Sequence, residues 1–139
     1  MTHMTKPAIQ KELTISKPVK IGQTHSGQLT FLCQMMHWLR ENDLPYGGSD
    51  SSLYIFAETF HVIGCVEMRW NDDFLWIQAI YVDPGIRRRG IGERLLHAAT
   101  TAFQGPISIG LGTRPSNAAM KALANKMGFT HEIHEHWRK

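Results

Sequence analysis

The stretch Ile80-Tyr81-Val82-Asp83-Pro84-Gly85-Ile86-Arg87-Arg88-Arg89-Gly90-Ile91-Gly92-Glu93 decides how the chain is read. An apolar run ends at Val82, Asp83-Pro84-Gly85 stops it, and a helical pattern begins almost at once after the arginines. A strand, a turn and a helix therefore follow one another without a loop. The first turn of a helix holds backbone N–H groups that lack internal partners, and the helix dipole adds positive character there. Gly90 and Gly92 let that backbone come close to a ligand, and Arg87, Arg88 and Arg89 add charge-assisted hydrogen bonds to phosphate oxygens. The junction suits a pyrophosphate. The bland alternative is an ordinary strand–helix turn with solvated arginines. A dinucleotide fingerprint would need glycine where Leu95 stands, and no G-K-S/T follows to make a P-loop.

Upstream, three strand-like runs cover Leu53 to Ala57, Val62 to Trp70 and Phe74 to Val82. Their short polar links predict hairpins and antiparallel pairing. Before them, Thr24-His25-Ser26 can cap a helix whose apolar positions Leu29, Leu32, Met35, Met36 and Leu39 carry it to about Glu41; Asn42 to Ser52 reads as a loop. An edge strand is expected near Leu13-Thr14-Ile15 and Val19, with Pro18 at its end. Downstream, Leu95, Leu96, Ala99, Ala102 and Phe103 give the second helix its apolar face, which Gly105-Pro106 closes. Ile107 to Leu111 is a strand. A third helix, capped by Ser116 or Asn117, buries Met120, Leu123, Ala124 and Met127 and stops at Gly128. Phe129 to Trp137 makes one last strand. The fold class is α+β: a mixed, mostly antiparallel sheet with about three helices.

At 139 residues the chain suits one domain over 1–139, with residues 1–11 expected to be poorly ordered. No apolar run reaches the roughly 18 residues of a membrane span, and the N-terminus lacks the apolar core of a signal peptide. Cys33 and Cys65, the two cysteines, read as small buried thiols, which favours a reducing compartment and a cytoplasmic location. Much of the net charge of +3 sits in Arg87 to Arg89, so it marks a local anion site rather than a nucleic-acid face.

These residues resemble the GNAT superfamily of N-acetyltransferases. Its Q/R-x-x-G-x-G/A pattern matches Arg87 to Gly92 after Val82-Asp83-Pro84, and its N-x-x-A…G-F pattern matches Asn117-Ala118-Ala119-Met120 through Gly128-Phe129. The resemblance spans most of the chain. It implies a strongly twisted sheet in which the strand ending at Val82 and the strand starting at Ile107 splay apart around the pantetheine arm of acetyl-CoA. It further implies that the backbone of Ile80, Tyr81 and Val82 pairs with that arm. Arg87, Arg88, Arg89, Gly90, Ile91 and Gly92 would hold the pyrophosphate, and Asn117 would contact the arm. The implied reaction is direct transfer of an acetyl group from acetyl-CoA to an amine of a small molecule or peptide, with no covalent enzyme intermediate; the residues themselves give no reason to expect a metal, nucleic acid or membrane.

Two familiar acid/base positions depart from the pattern. A tyrosine five residues before the G-F phenylalanine would protonate the leaving thiolate in many members; here it is Ala124. A glutamate base on the strand before the Asn motif corresponds to Gly112. Glu67 is the candidate buried carboxylate on the acceptor side, against the plainer reading of a strand-face glutamate in solvent or in an ion pair with Arg69. Tyr81 is a candidate proton donor, against a packing role. A non-catalytic acyl-CoA sensor is the rival function. The C-terminal strand region is shortened: after G-F one strand fits and a second does not, so the Ile107–Leu111 edge would be open and a homodimer is expected to cover it. His131 to His136 narrowly misses H-E-x-x-H, because position 135 is Glu135, and reads as an exposed polar strand face.

Overall fold

The computed structural model describes residues 12–42, 51–71, 74–86, 90–103, 108–112, 118–133 and 136–138. The remaining positions, including 1–11, lie outside them. The described elements are β1 (Thr14–Ile15), α1 (Ser26–Glu41), β2 (Ser52–Glu58), β3 (Val62–Asn71), β4 (Phe74–Val82), α2 (Ile91–Thr101), β5 (Ser108–Gly112), α3 (Ala118–Lys126), β6 (Thr130–Ile133) and β7 (His136–Arg138). All strands join one sheet in the order β1-β2-β3-β4-β5-β7-β6. Pairing is antiparallel except between β4 and β5, which run parallel. This is the mixed, mostly antiparallel α+β sheet expected from the sequence.

Strand alternation sorts the side chains of β2, β3 and β4 onto two faces. One face meets α2: Ile55, Ala57, Val66, Met68, Leu75 and Ile77 pack with Leu95, Leu96 and Ala99. Gly64 brings α2 close, since a Cβ there would stand 2.9 Å from Leu95 Cδ1. The other face meets α1: Tyr54, Phe56, Cys65 and Tyr81 pack with Phe31, Leu32, Met35 and Leu39. His25 caps α1, its Nδ1 accepting from the Gln28 N–H at 3.2 Å while Gln28 Oε1 accepts from the His25 N–H at 3.2 Å. The edge strand runs beside β2 through β1 and a bridge from Val19 to Tyr54, broken around Pro18.

Four expectations are corrected. Two strands, Thr130–Ile133 and His136–Arg138, stand where one was expected, since strands of 4 and 3 residues fit a stretch this short. The second of these, β7, pairs with Gly110, Leu111 and Gly112, so β5 is covered within the chain and the open edge that motivated a dimer does not exist. Cys33 is exposed on α1, whereas Cys65 is buried as expected. Leu29 lies off the buried stripe and is 44% exposed; Phe31 takes its place in the core at 4%.

Candidate active site

The decisive geometry is where β4 parts from β5. Their ladder runs from Phe74↔Ser108 to Ile77↔Leu111 and stops, yet β4 continues to Val82. On its other side β4 stays paired with β3 throughout: Glu67 faces Ala79 and Met68 faces Ile77, so Gln78 is an extra, bulged residue. A bulge bends its strand and increases local twist. Here it falls at the last rung shared with β5, whose described part ends at Gly112, while β4 runs on to Val82.

Backbone direction beyond the bulge follows from one hydrogen bond. The Asp83 N–H donates to Ile63 O at 2.8 Å, so alternation turns the N–H and C=O of Tyr81 toward β3 and those of Ile80 and Val82 away from it. After Val82, Asp83 Oδ1 accepts from the Gly85 N–H at 2.9 Å and tightens the turn. Arg87, Arg88 and Arg89 lie outside the described residues. Gly90 follows as the N-cap of α2 in the left-handed conformation, φ 76° and ψ 10°. Its C=O accepts from the Arg94 N–H at 3.0 Å, so the helix starts there.

Ile91 anchors this turn through a buried side chain, and Gly92 sits against Val82 and Leu123. Glu93, an acid in the first turn, would oppose an anion. Its Oε2 is instead paired with Lys126 Nζ of α3 at 3.1 Å, which offsets the charge while adding little stability at so exposed a position. Asn117 lies outside the described residues. Ala124 is fully buried in the core beside α2 and accepts the Phe129 N–H at 2.9 Å; Gly128, with φ 89°, ends α3. Gly112 pairs with His136.

On the α1 face, Glu67 lies fully buried between Tyr54 of β2 and Ala79 of β4, level with the bulge. Its Oε2 accepts from Ser52 Oγ at 2.8 Å. Burying a carboxylate is costly unless hydrogen bonds compensate, and such groups concentrate at functional sites. The reading of Glu67 as a solvent-facing glutamate does not hold. Burial, and then the Glu67 carboxylate, push the Tyr54 hydroxyl up to about 12. Burial also pushes the Cys65 thiol up, with Glu67 again adding to it. The Tyr81 ring packs on Phe31 and Trp38, with centroids 5.5 and 5.3 Å away.

Ser52, Tyr54 and Gln78 escaped the sequence reading, and Arg69 entered it only as a pairing partner for Glu67. Alternation alone puts Ser52 and Tyr54 on one face of their strand; their register against Glu67 is set by the hairpin turn. Among the described residues no group of three or more His, Cys, Asp and Glu side chains could hold a metal, and no helix is long and apolar enough to cross a membrane. A depression of about 440 Å³ along α2 is lined by Ile15, Glu93, Arg94, His97, Thr101 and Met127.

Residues 24–129 match the model of the acetyltransferase (GNAT) family, and the chain belongs to that family. Solved structures with the same fold include an acetyltransferase of the GNAT family from Staphylococcus aureus, at TM-score 0.70, 13% identity, and coverage of 92% of this chain and 98% of that one. The ribosomal-protein-S18-alanine N-acetyltransferase of Escherichia coli matches at TM-score 0.66 and 20% identity, covering 91% of each chain. YhhK of E. coli, solved bound to coenzyme A, matches at TM-score 0.68 and 20% identity, covering 92% of this chain and 98% of that one. No curated protein sequence matches the chain significantly. The fold and family are those of acetyltransferases.

Proposed function

We propose that this chain transfers an acetyl group from acetyl-CoA to a primary amine within a ternary complex. The observation that carries the reading is the length of β4 past Ile77, freed from β5 by the Gln78 bulge and leading into the Gly90-capped helix. In this reading the pantetheine arm runs beside β4 as an added strand, against the backbone groups of Ile80 and Val82; those of Tyr81, expected to join them, are turned to β3 instead. The N–H groups of Gly90, Ile91 and Gly92 and the side chains of Arg87, Arg88 and Arg89 hold the pyrophosphate, and Asn117 reaches the arm. The solved complex of YhhK with coenzyme A, on the same fold, supports the cofactor class.

Transfer joins the amine nitrogen to the acetyl carbon, breaks the carbon–sulfur bond and releases the thiolate. The nitrogen must shed a proton, and Glu67 is the buried carboxylate at the level of the bulge that can take it. Tyr81 packs its ring on Phe31 and Trp38 of α1, and we assign it a packing role rather than proton donation. Holding amine and thioester together supplies much of the rate on its own, by several kcal/mol. The assay is thiol release from acetyl-CoA across amino acids, peptides, polyamines and aminoglycosides, with the acetylated product confirmed by mass. Release with at least one amine is expected. A second reading, an acyl-CoA sensor without turnover, draws on the burial of Ala124 where many relatives place an acid. Coenzyme A binding with no thiol release from any amine would establish it.

A further inference from the structure

The α1 face of the sheet carries a strip of side chains that the transfer reading leaves unused. Arg69 follows Glu67 by two residues on β3, so both lie on the face of Tyr54, roughly 7 Å apart along the strand. Its charge is felt there, since it pulls against the rise in the Tyr54 hydroxyl. Unlike Glu67, Arg69 is exposed. Directly across from it on β4 is Trp76, and beyond Trp76 lies Gly110 of β5. Trp76 and Phe74 are half-buried and stacked, with centroids 6.3 Å apart and planes at 26°.

The two rings are held in place. Trp76 Nε1 donates to Gln78 Oε1 at 3.1 Å, which ties the indole to the bulge. Underneath, Gly110 leaves room for the rings: a Cβ there would stand 3.0 Å from Phe74 Cζ and 3.2 Å from the Trp76 ring. The strip thus offers an outer cation, a flat apolar wall and an inner carboxylate, all beside the point where β4 leaves β5.

We infer that the acceptor is a free α-amino acid with an aromatic or bulky apolar side chain. Its carboxylate meets Arg69, its side chain lies on Phe74 and Trp76, and its amine points inward to the bulge and the Glu67 side. This inference deepens the transfer reading and rests on it for the location of the thioester. Charge complementarity selects the class. A polyamine or aminoglycoside would set a cation against Arg69, and a simple amine would leave the guanidinium without a partner. Arg recognises a carboxylate through paired, charge-assisted hydrogen bonds, and a site built for such a group rejects the analogue lacking it.

The test is calorimetric titration of L-phenylalanine and L-leucine, each with its amide and its decarboxylated amine, into the full chain saturated with coenzyme A. At least one amino acid should bind about tenfold or more tightly than both of its analogues. Arg69→Gln should abolish that preference, leaving the decarboxylated amine and coenzyme A binding unchanged. Equal binding of the three forms, a preference that survives Arg69→Gln, or no binding of either amino acid would overturn the inference. Thiol release with the same compounds separates the two claims. An amino acid that binds by way of Arg69 without thiol release removes the transfer reading and keeps the site. Turnover of other amines alone removes the site and keeps the transfer.

Discussion

Replacing Gly90 and Gly92 by alanine, one at a time, should move stability in opposite directions and affinity only once. Gly90 has φ 76°, a conformation that costs an L side chain about 1–2 kcal/mol. Nothing lies within 4 Å of a Cβ built there, so the penalty is conformational and not steric. Gly90→Ala should therefore cost about 1 kcal/mol, or about 3–4 °C in Tm for a chain of this size. Gly92 is within the helix, and its Cβ would meet Leu123 Cδ2 at 3.8 Å and Val82 Cγ2 at 3.9 Å, ordinary contacts. Alanine there should be neutral or stabilising by up to about 1 kcal/mol, since it is the better helix former. The left-handed turn aims the first N–H groups of α2, so Gly90→Ala should also weaken coenzyme A binding roughly tenfold, near 1.4 kcal/mol. The Gly92 Cβ points into the protein, and Gly92→Ala should leave affinity within about threefold, about 0.7 kcal/mol. Chemical denaturation and calorimetry on both variants provide the assay. If Gly92→Ala lost affinity while Gly90→Ala kept it, the turn would not work as described.

Tyr54 gives a pH prediction. Its hydroxyl is raised from 10.0 to about 12, so the fold favours the neutral phenol. That contribution is complete below pH 10 and is lost as pH rises toward 12. In an ultraviolet titration one of the three tyrosines should ionise late, and Tyr54→Phe should remove that phase; uniform ionisation near 10 would contradict the burial. For the thiols, Cys33 is exposed while Cys65 is buried with its thiol pushed up. A disulfide reagent at neutral pH should titrate one thiol in the native protein and both after unfolding. Gly64→Ala should destabilise by about 1–3 kcal/mol, because its Cβ would stand 2.9 Å from Leu95 Cδ1 and force α2 off the sheet; a variant with unchanged Tm would show that α2 yields without cost.

The strands and helices were legible because their apolar spacing repeats over many residues. Val62 to Trp70 and Phe74 to Val82 matched β3 and β4 within a residue, and the glycine pattern at 90 and 92 located the start of α2. The C-terminus was not legible, since strands of 4 and 3 residues are too short to show a period. Cys33 and Leu29 were misplaced for a related reason: a helix stripe read from five apolar residues leaves its rotation uncertain by about one position, near 100° of arc. Glu67 was recognisable as a strand-face acid. Its hydrogen bond to Ser52, its place beside the Gln78 bulge and the Arg69–Trp76 pairing depend on register, which hairpin turns and a bulge set. No local pattern announces a bulge in an apolar strand.

The central claim is that β4 beyond Gln78 seats acetyl-CoA. Backbone amide NMR of the full chain titrated with coenzyme A tests it most directly. The account predicts the largest shifts at Ile80, Val82 and Gly90 through Gly92, with the β1–β2 edge unmoved. Shifts confined to the depression around Ile15, His97 and Met127, with Ile80 and Val82 unchanged, would contradict it.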